Sequence, residues 1–249
     1  TVQSAHSKSS GNTHNRSDTR SQSSRSSHAS RDVRGLAGAG VVVGALNTAK
    51  SVVSKRVVVV AFNLCGFQKR LQGSSATKTL PELQAKFLTI VNKHVRDNKG
   101  VVDSFQGDHV VASFNAVSNV ASAPKRAALT ALHAATDAAA VPELPPVSIG
   151  ISAGTAFVGN MGNSDMQRFN IVGPAYVEAM MMERLACEQL AESKECPWRI
   201  LGLGNLIADI SLELYFQCVD FVATPNDKAK ASLVISIERL KTMTEDEWM

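Results

Sequence analysis

The sequence predicts a mixed α/β domain of the α+β kind, with a ferredoxin-like βαββαβ core and an antiparallel sheet. Three observations predict it. Val57 to Leu64 (VVVVAFNL) is a continuous, β-branched apolar run of strand length. Leu83, Phe87, Ile90 and Val91 then recur at helical spacing. Two short strand-like runs around Gln106-Gly107-Asp108-His109 follow, and after them an alanine-rich helical stretch and a further strand. Strand, helix, strand, strand, helix, strand is the order of that core, and it places both helices on one face of the sheet, leaving the other free for a partner.

The elements follow in order. Val57–Leu64 is expected to be a buried central strand. Residues 71–75 read as a loop, and Pro81–Arg96 as a helix with proline near its start, ended at Gly100. Val101–Phe105 and Val110–Phe114 form a hairpin, and Pro124–Ala140 a second helix closed by the ProGluLeuProPro turn. Val147–Ala153 and Ala156–Val158 read as two strands divided at Gly154. Ala175–Leu190 is a long, methionine-rich helix. Extra C-terminal strands are expected at Trp198–Leu203, Leu214–Ala223 and Ala231–Ile237.

Of the 249 residues, 44% are hydrophobic and only 5% aromatic, enough for a real core. The net charge of +4 is local. Residues 1–34 hold Lys8, Arg16, Arg20, Arg25, Arg31 and Arg34 against Asp18 and Asp32, and the remainder carries 20 basic and 20 acidic residues. A neutral body lacks the clustered cations that bind phosphate backbones, which excludes nucleic acid as a partner of the domain. The Ser/Arg-rich segment 1–34 cannot bury enough apolar surface to offset chain entropy and is expected to be a disordered linker. Residues 35–54 are a transition segment whose apolar part, Gly35–Ala49, is too short to span a bilayer. The folded domain is placed at 55–249. Cys65, Cys187, Cys196 and Cys218 form no CxxC pair, which suits a reducing compartment and argues against a disulfide framework or a zinc site.

Chemistry is suggested where strand ends meet. Asp108 sits in a Gly-Asp turn beside the expected end of the first strand, where Asn63 offers a neutral carbonyl oxygen. A hard cation such as Mg²⁺ takes oxygen ligands, usually one or two carboxylates together with phosphate oxygens. The backbone of Leu64, Cys65, Gly66 and Phe67 is a natural phosphate cradle. His109 has no second histidine at ligand spacing and reads as structural. Gly159–Asn163 (GNMGN) lacks the lysine and hydroxyl of a P-loop and reads as a turn.

Four blocks carry a family pattern: FNLCGF (Phe62–Phe67), GDHVVASF (Gly107–Phe114), SIGISAGTAFVG (Ser148–Gly159) and RFNIVGPAYVEAMMMERL (Arg168–Leu185). In this order they resemble the catalytic domain of class III adenylate and guanylate cyclases over roughly residues 55–240. The resemblance implies a nucleotide-cyclase-type fold and head-to-tail dimers with sites at the subunit interface. It also implies Mg²⁺ or Mn²⁺ as cofactor, and conversion of ATP or GTP into a 3′,5′-cyclic monophosphate and pyrophosphate. Its metal positions fall on Asp108, on Asn63 in place of an aspartate, and on the backbone of Leu64. Nucleotide-contacting positions fall on Gly66 and Phe67, and the two base selectors on Ser104 and Asn170, which leaves base preference open. The ribose-orienting asparagine falls on Val177 and the phosphoryl-bracing arginine on Met181, so neither catalytic position is intact.

The reading is therefore a degenerate cyclase-like domain, catalytically impaired, that pairs with another cyclase-type domain as a homo- or heterodimer in cyclic-nucleotide signalling. The alternatives are an active, divergent cyclase and a non-catalytic nucleotide- or protein-interaction module. The resemblance places the domain in the cytoplasm, with any membrane attachment made through a larger parent chain.

Overall fold

The structure is a computed structural model that describes residues 52–68, 76–163, 165–193, 196–223 and 231–241. The expected linker at 1–34, nearly all of the transition segment and the loop at 71–75 lie outside the described residues.

The chain forms β1 (Val53–Leu64), α1 (Ala76–Asp97), β2 (Val101–Gln106), β3 (His109–Phe114), α2 (Ala123–Ala139) and β4 (Val147–Gly162). Next come β5 (Gln167–Val172), α3 (Pro174–Glu192), β6 (Trp198–Leu203) and the short α4 (Ile207–Ile210). β7 (Leu214–Ala223) and β8 (Ala231–Leu240) complete it. The sheet order is β2-β3-β1-β4-β6-β8-β7, with β5 paired to β4. Strands β2, β3, β1 and β4 are mutually antiparallel, in the order of the ferredoxin-like core. β6 joins β4 in parallel and starts the C-terminal extension.

β1 shows why the sheet is layered as it is. Side chains alternate across a strand, so Val58, Val60 and Phe62 enter one core with Phe87 and Val91 of α1 and the alanine stripe Ala127, Ala131, Ala135 and Ala138 of α2. Val57, Val59 and Ala61 enter a second core on the opposite face, with Ala175 and Ala179 of α3. Each fully buried aliphatic residue contributes roughly 1.5–3 kcal/mol. A strand with no polar face therefore recruits cover on both sides.

That second cover revises one expectation. α1 and α2 do share one face, but α3 lies on the other, which is thus not free over β1, β4 and β6. Gly150 permits this. A β-carbon there would lie 2.0 Å from the Ala179 carbonyl oxygen and 2.2 Å from the Glu183 nitrogen, so the α3 backbone rests directly on that of β4. Gly154, read as a break, is another contact with α3, since its β-carbon would meet that of Ala175 at 3.4 Å. Accordingly β4 runs unbroken for 16 residues. The two runs expected to flank Gly154 are one strand, and GNMGN lies largely within β4 rather than in a turn. α1 begins at Ala76, leaving Pro81 inside it. β5 was not foreseen as a strand.

At the open edge, Asp103 of β2 sits at a bulge between Val102 and Ser104. Ser113 Oγ donates to its Oδ1 at 3.1 Å, while Oδ2 is enclosed with no partner among the described residues. The residue is partly exposed but its carboxyl is not, and burial pushes that carboxyl up to about 7. A raised folded value favours the folded state most below the ordinary aspartate range, and this contribution is lost as pH rises through about 7. Asp103→Asn is expected to raise stability at pH 8 by on the order of 1–3 kcal/mol and to leave it nearly unchanged at pH 3. Urea unfolding of both proteins at the two pH values checks this.

Candidate functional site

The site is built where β1 ends beside the β2–β3 turn. Asn63 pairs with His109 across the β1–β3 ladder, and the Leu64 N–H donates to the Asp108 carbonyl at 3.3 Å. Asn63 and Asp108 thus stand at neighbouring strand ends, and both are buried, at 8% and 6% exposure. Gln84 Nε2 donates to the Gly107 carbonyl at 2.8 Å and ties the turn to α1. Asp108 Oδ1 accepts from Gln68 Nε2 at 3.4 Å.

Asn63 follows Ala61 by one strand period, so its side chain faces α3. There Asn63 Nδ2 donates to Glu183 Oε1 at 2.9 Å, and Ser148 Oγ of β4 donates to the same oxygen at 2.6 Å. A carboxylate only accepts; the amide must therefore turn its NH₂ inward. Asn63 Oδ1 is left enclosed, with no partner among the described residues. His109 stands between the two buried acids, its Nδ1 3.8 Å from Glu183 Oε2 and its Nε2 3.9 Å from Asp108 Oδ1. Behind them lie two thiols. Burial and the adjacent Cys187 push the Cys65 thiol up to about 12.

The sequence-derived positions divide into two groups. Asn63, Leu64 and Asp108 come together, and the turn after β1 brings Gly66 and Phe67 alongside. Gly66 has φ +74°, a left-handed conformation that favours glycine. The side chains of Leu64 and Phe67 are core, so only their backbone groups are open to a ligand. Ser104 is exposed on β2. Asn170 lies on β5 opposite Gly159 and donates to the Arg168 carbonyl at 3.3 Å. Val177 is half exposed on α3, and Met181 packs against the small core of Met182, Ala186, Leu201, Leu203 and Val234. These four are spread over three elements.

Glu183 and Ser148 were not singled out from the sequence. The available signal was position: Glu183 falls in the buried α3 stripe of Ala175, Ala179 and Ala186, where an acid needs a buried partner. For a divalent cation the donor set is thin. Among the described residues no group of three or more histidine, cysteine or acidic side chains is arranged around a metal position. Asp108 supplies one carboxylate and Asn63 Oδ1 one neutral oxygen, which fits a single ion better than a pair.

The Asn63–Glu183 bond makes a direct prediction. Asn63→Asp places two carboxylates face to face in a buried site and should cost about 3 kcal/mol of stability. Adding Glu183→Gln restores a donor between them and should recover most of that loss. A double-mutant cycle in urea measures the coupling.

No family model matches the chain. An uncharacterized protein of Mycobacterium tuberculosis is 31% identical over 159 residues, which are 63% of this chain and 26% of that protein. One of Mycobacterium bovis matches to the same extent. The chain spans about a quarter of the length of these curated relatives. Among solved structures, the adenylyl cyclase CyaB from P. aeruginosa superposes with a TM-score of 0.64 at 18% identity, covering 77% of this chain and 97% of that one. The guanylate cyclase domain of RhGC from Catenaria anguillulae, in complex with GTP, gives 0.63 at 16%, covering 76% and 100%. A non-canonical dimeric guanylyl cyclase domain from Blastocladiella emersonii gives 0.59 at 16%, covering 76% and 99%. The described domain has the fold of the class III adenylyl and guanylyl cyclase catalytic domains.

Proposed function

We propose that this chain is a cyclase-like domain of cyclic-nucleotide signalling with little or no turnover, acting as the regulatory or dimerisation partner of another cyclase-type domain. The observation that carries the reading is the hydrogen bond from Asn63 Nδ2 to Glu183. The side chain at the position where the resemblance expects a metal-binding aspartate has its donor committed to a buried acid and brings no charge to a cation. Val177 has no hydrogen-bonding atom with which to orient a ribose, and Met181 has no charge with which to brace a developing phosphoryl anion. Loss of one such transition-state contact costs roughly 3–4 kcal/mol, and several losses together remove most of the rate even when they do not add fully.

What remains is a binding site. Asp108, Asn63 Oδ1 and the Leu64 backbone would hold one Mg²⁺ or Mn²⁺, which when bound neutralises triphosphate charge. The backbone turn at Leu64–Phe67 would receive phosphate oxygens of ATP or GTP. Ser104 and Asn170 are both small and polar, which gives no basis for choosing between the bases. In this reading residues 1–34 link the domain to the rest of a longer chain, and any membrane attachment belongs to that parent. No helix of the described residues is long and apolar enough to cross a membrane.

One observation favours a divergent, active cyclase instead: Asp108 is retained and buried, and Asn63 at the neighbouring strand end keeps an oxygen with no partner among the described residues. Both readings meet in one experiment. With Mn²⁺ and either ATP or GTP, the purified chain should form no cyclic AMP or cyclic GMP above background. It should bind a fluorescent nucleotide analogue in a Mn²⁺-dependent way that Asp108→Ala weakens at least about tenfold. Cyclic product that disappears in Asp108→Ala would replace the impaired reading with the active one.

A further inference from the structure

We infer that Cys65 and Cys187 form a dithiol site that closes to a disulfide across the end of β1 and α3, directly behind the Leu64–Phe67 turn. Register brings the two residues together although they are far apart in sequence. Two residues along a strand advance about 6.6 Å, and four along a helix about 6 Å. Asn63 and Glu183 are already joined at 2.9 Å; Cys187 lies one helical turn further along α3, and Cys65 opens the turn that follows β1. The Cys187 sulfur lies 4.0 Å from Asn63 Nδ2, and the Cys65 thiol interacts with both Cys187 and Ser148.

Disulfides need α-carbons about 4.4–6.8 Å apart, closer than a helix and a sheet usually come. Gly150 brings α3 unusually close to the sheet one turn before Cys187. It lets the α3 backbone at Glu183 rest on β4 at a separation that excludes even a methyl group. Both cysteines are half-buried, so a small oxidant reaches them while the surrounding packing holds them in place. Cys196, preceding β6, and Cys218, on β7, are exposed on other elements.

The oxidant is a small-molecule disulfide such as glutathione disulfide. Cys187, as thiolate, displaces one glutathione and forms a mixed disulfide. Cys65 then attacks that bond and displaces the other glutathione. One S–S bond breaks and one forms. Two electrons pass from the cysteines to glutathione, and the two protons the cysteines lose are carried away on two glutathione thiols. The site does not rest on the proposed function, because cross-linking is read out without nucleotide or metal.

The purified full chain, equilibrated with glutathione disulfide and then alkylated under denaturing conditions, tests the assignment by peptide mass spectrometry. Alkylation of Cys65 and Cys187 should be lost together, with a Cys65–Cys187 linked peptide that dithiothreitol abolishes. A Cys196→Ser/Cys218→Ser variant should behave in the same way, and Cys187→Ser should leave Cys65 alkylated. Full alkylation of Cys65 and Cys187 after oxidation would overturn the assignment. So would glutathione adducts at Cys65 or Cys187 without a cross-link between them, or disulfides through either that join separate chains.

Discussion

A buried carboxylate on α3 is the constraint around which this domain is arranged. Glu183 is 3% exposed, and taking such a charge out of water costs several kcal/mol unless its oxygens are hydrogen-bonded. Asn63 and Ser148 supply two such bonds, both to Oε1, from two adjacent strands, β1 and β4. One interaction therefore fixes three elements relative to each other and sets the chemistry of position 63. A hydrogen-bond donor suits that position, and a second carboxylate does not. The residue standing where the resemblance calls for a metal ligand is the hydrogen-bond partner of an internal acid.

Backbone packing makes the arrangement possible. With glycine at 150, α3 approaches β4 to van der Waals contact, which brings Glu183 within hydrogen-bond reach of Asn63 on the neighbouring strand. Ser152 Oγ makes a similar bond to Glu178 Oε2, at 2.7 Å, one turn earlier on the helix. α3 is thus attached to the sheet by two serine–glutamate bonds as well as by its alanines. Polar attachments of this kind fix register more tightly than apolar packing does, because a slip strands a buried charge. His109 stands between Glu183 and Asp108, 3.8 and 3.9 Å from their carboxylates and beyond hydrogen-bond distance of either.

Much of this was legible in the chain itself. VVVVAFNL is strand-like by its β-branching and length, and the element order of the core follows from periodicity and turn residues. The same run held information that was not drawn out. A strand without a polar face needs cover on both sides, which is incompatible with a free second face and points to α3. Gly154 was misread because glycine marks either a break or a close approach, and local sequence does not separate the two. β5 is a partly exposed extension on β4 that begins with Gln167 and Arg168, so it carries little apolar alternation. At the site, Asn63 and Asp108 were found from adjacent strand ends and a family pattern. Glu183 escaped because its partner lies 120 positions away, and no local pattern encodes that meeting. The meeting of Cys65 with Cys187 escaped for the same reason.

The cyclase-type fold and the altered site are consistent with each other physically. Fold depends on the β1, α1, α2 and α3 packing, which Asn63 strengthens. Two-ion chemistry, in the proposed reading, depends on charge at the strand ends, and Asn63 brings none. The account therefore turns on how many cations the site holds. Electron paramagnetic resonance of Mn²⁺ titrated into the purified chain with a non-hydrolysable ATP or GTP analogue counts them directly. The account predicts no more than one protein-bound Mn²⁺ per chain. Two tightly bound ions per chain would contradict it.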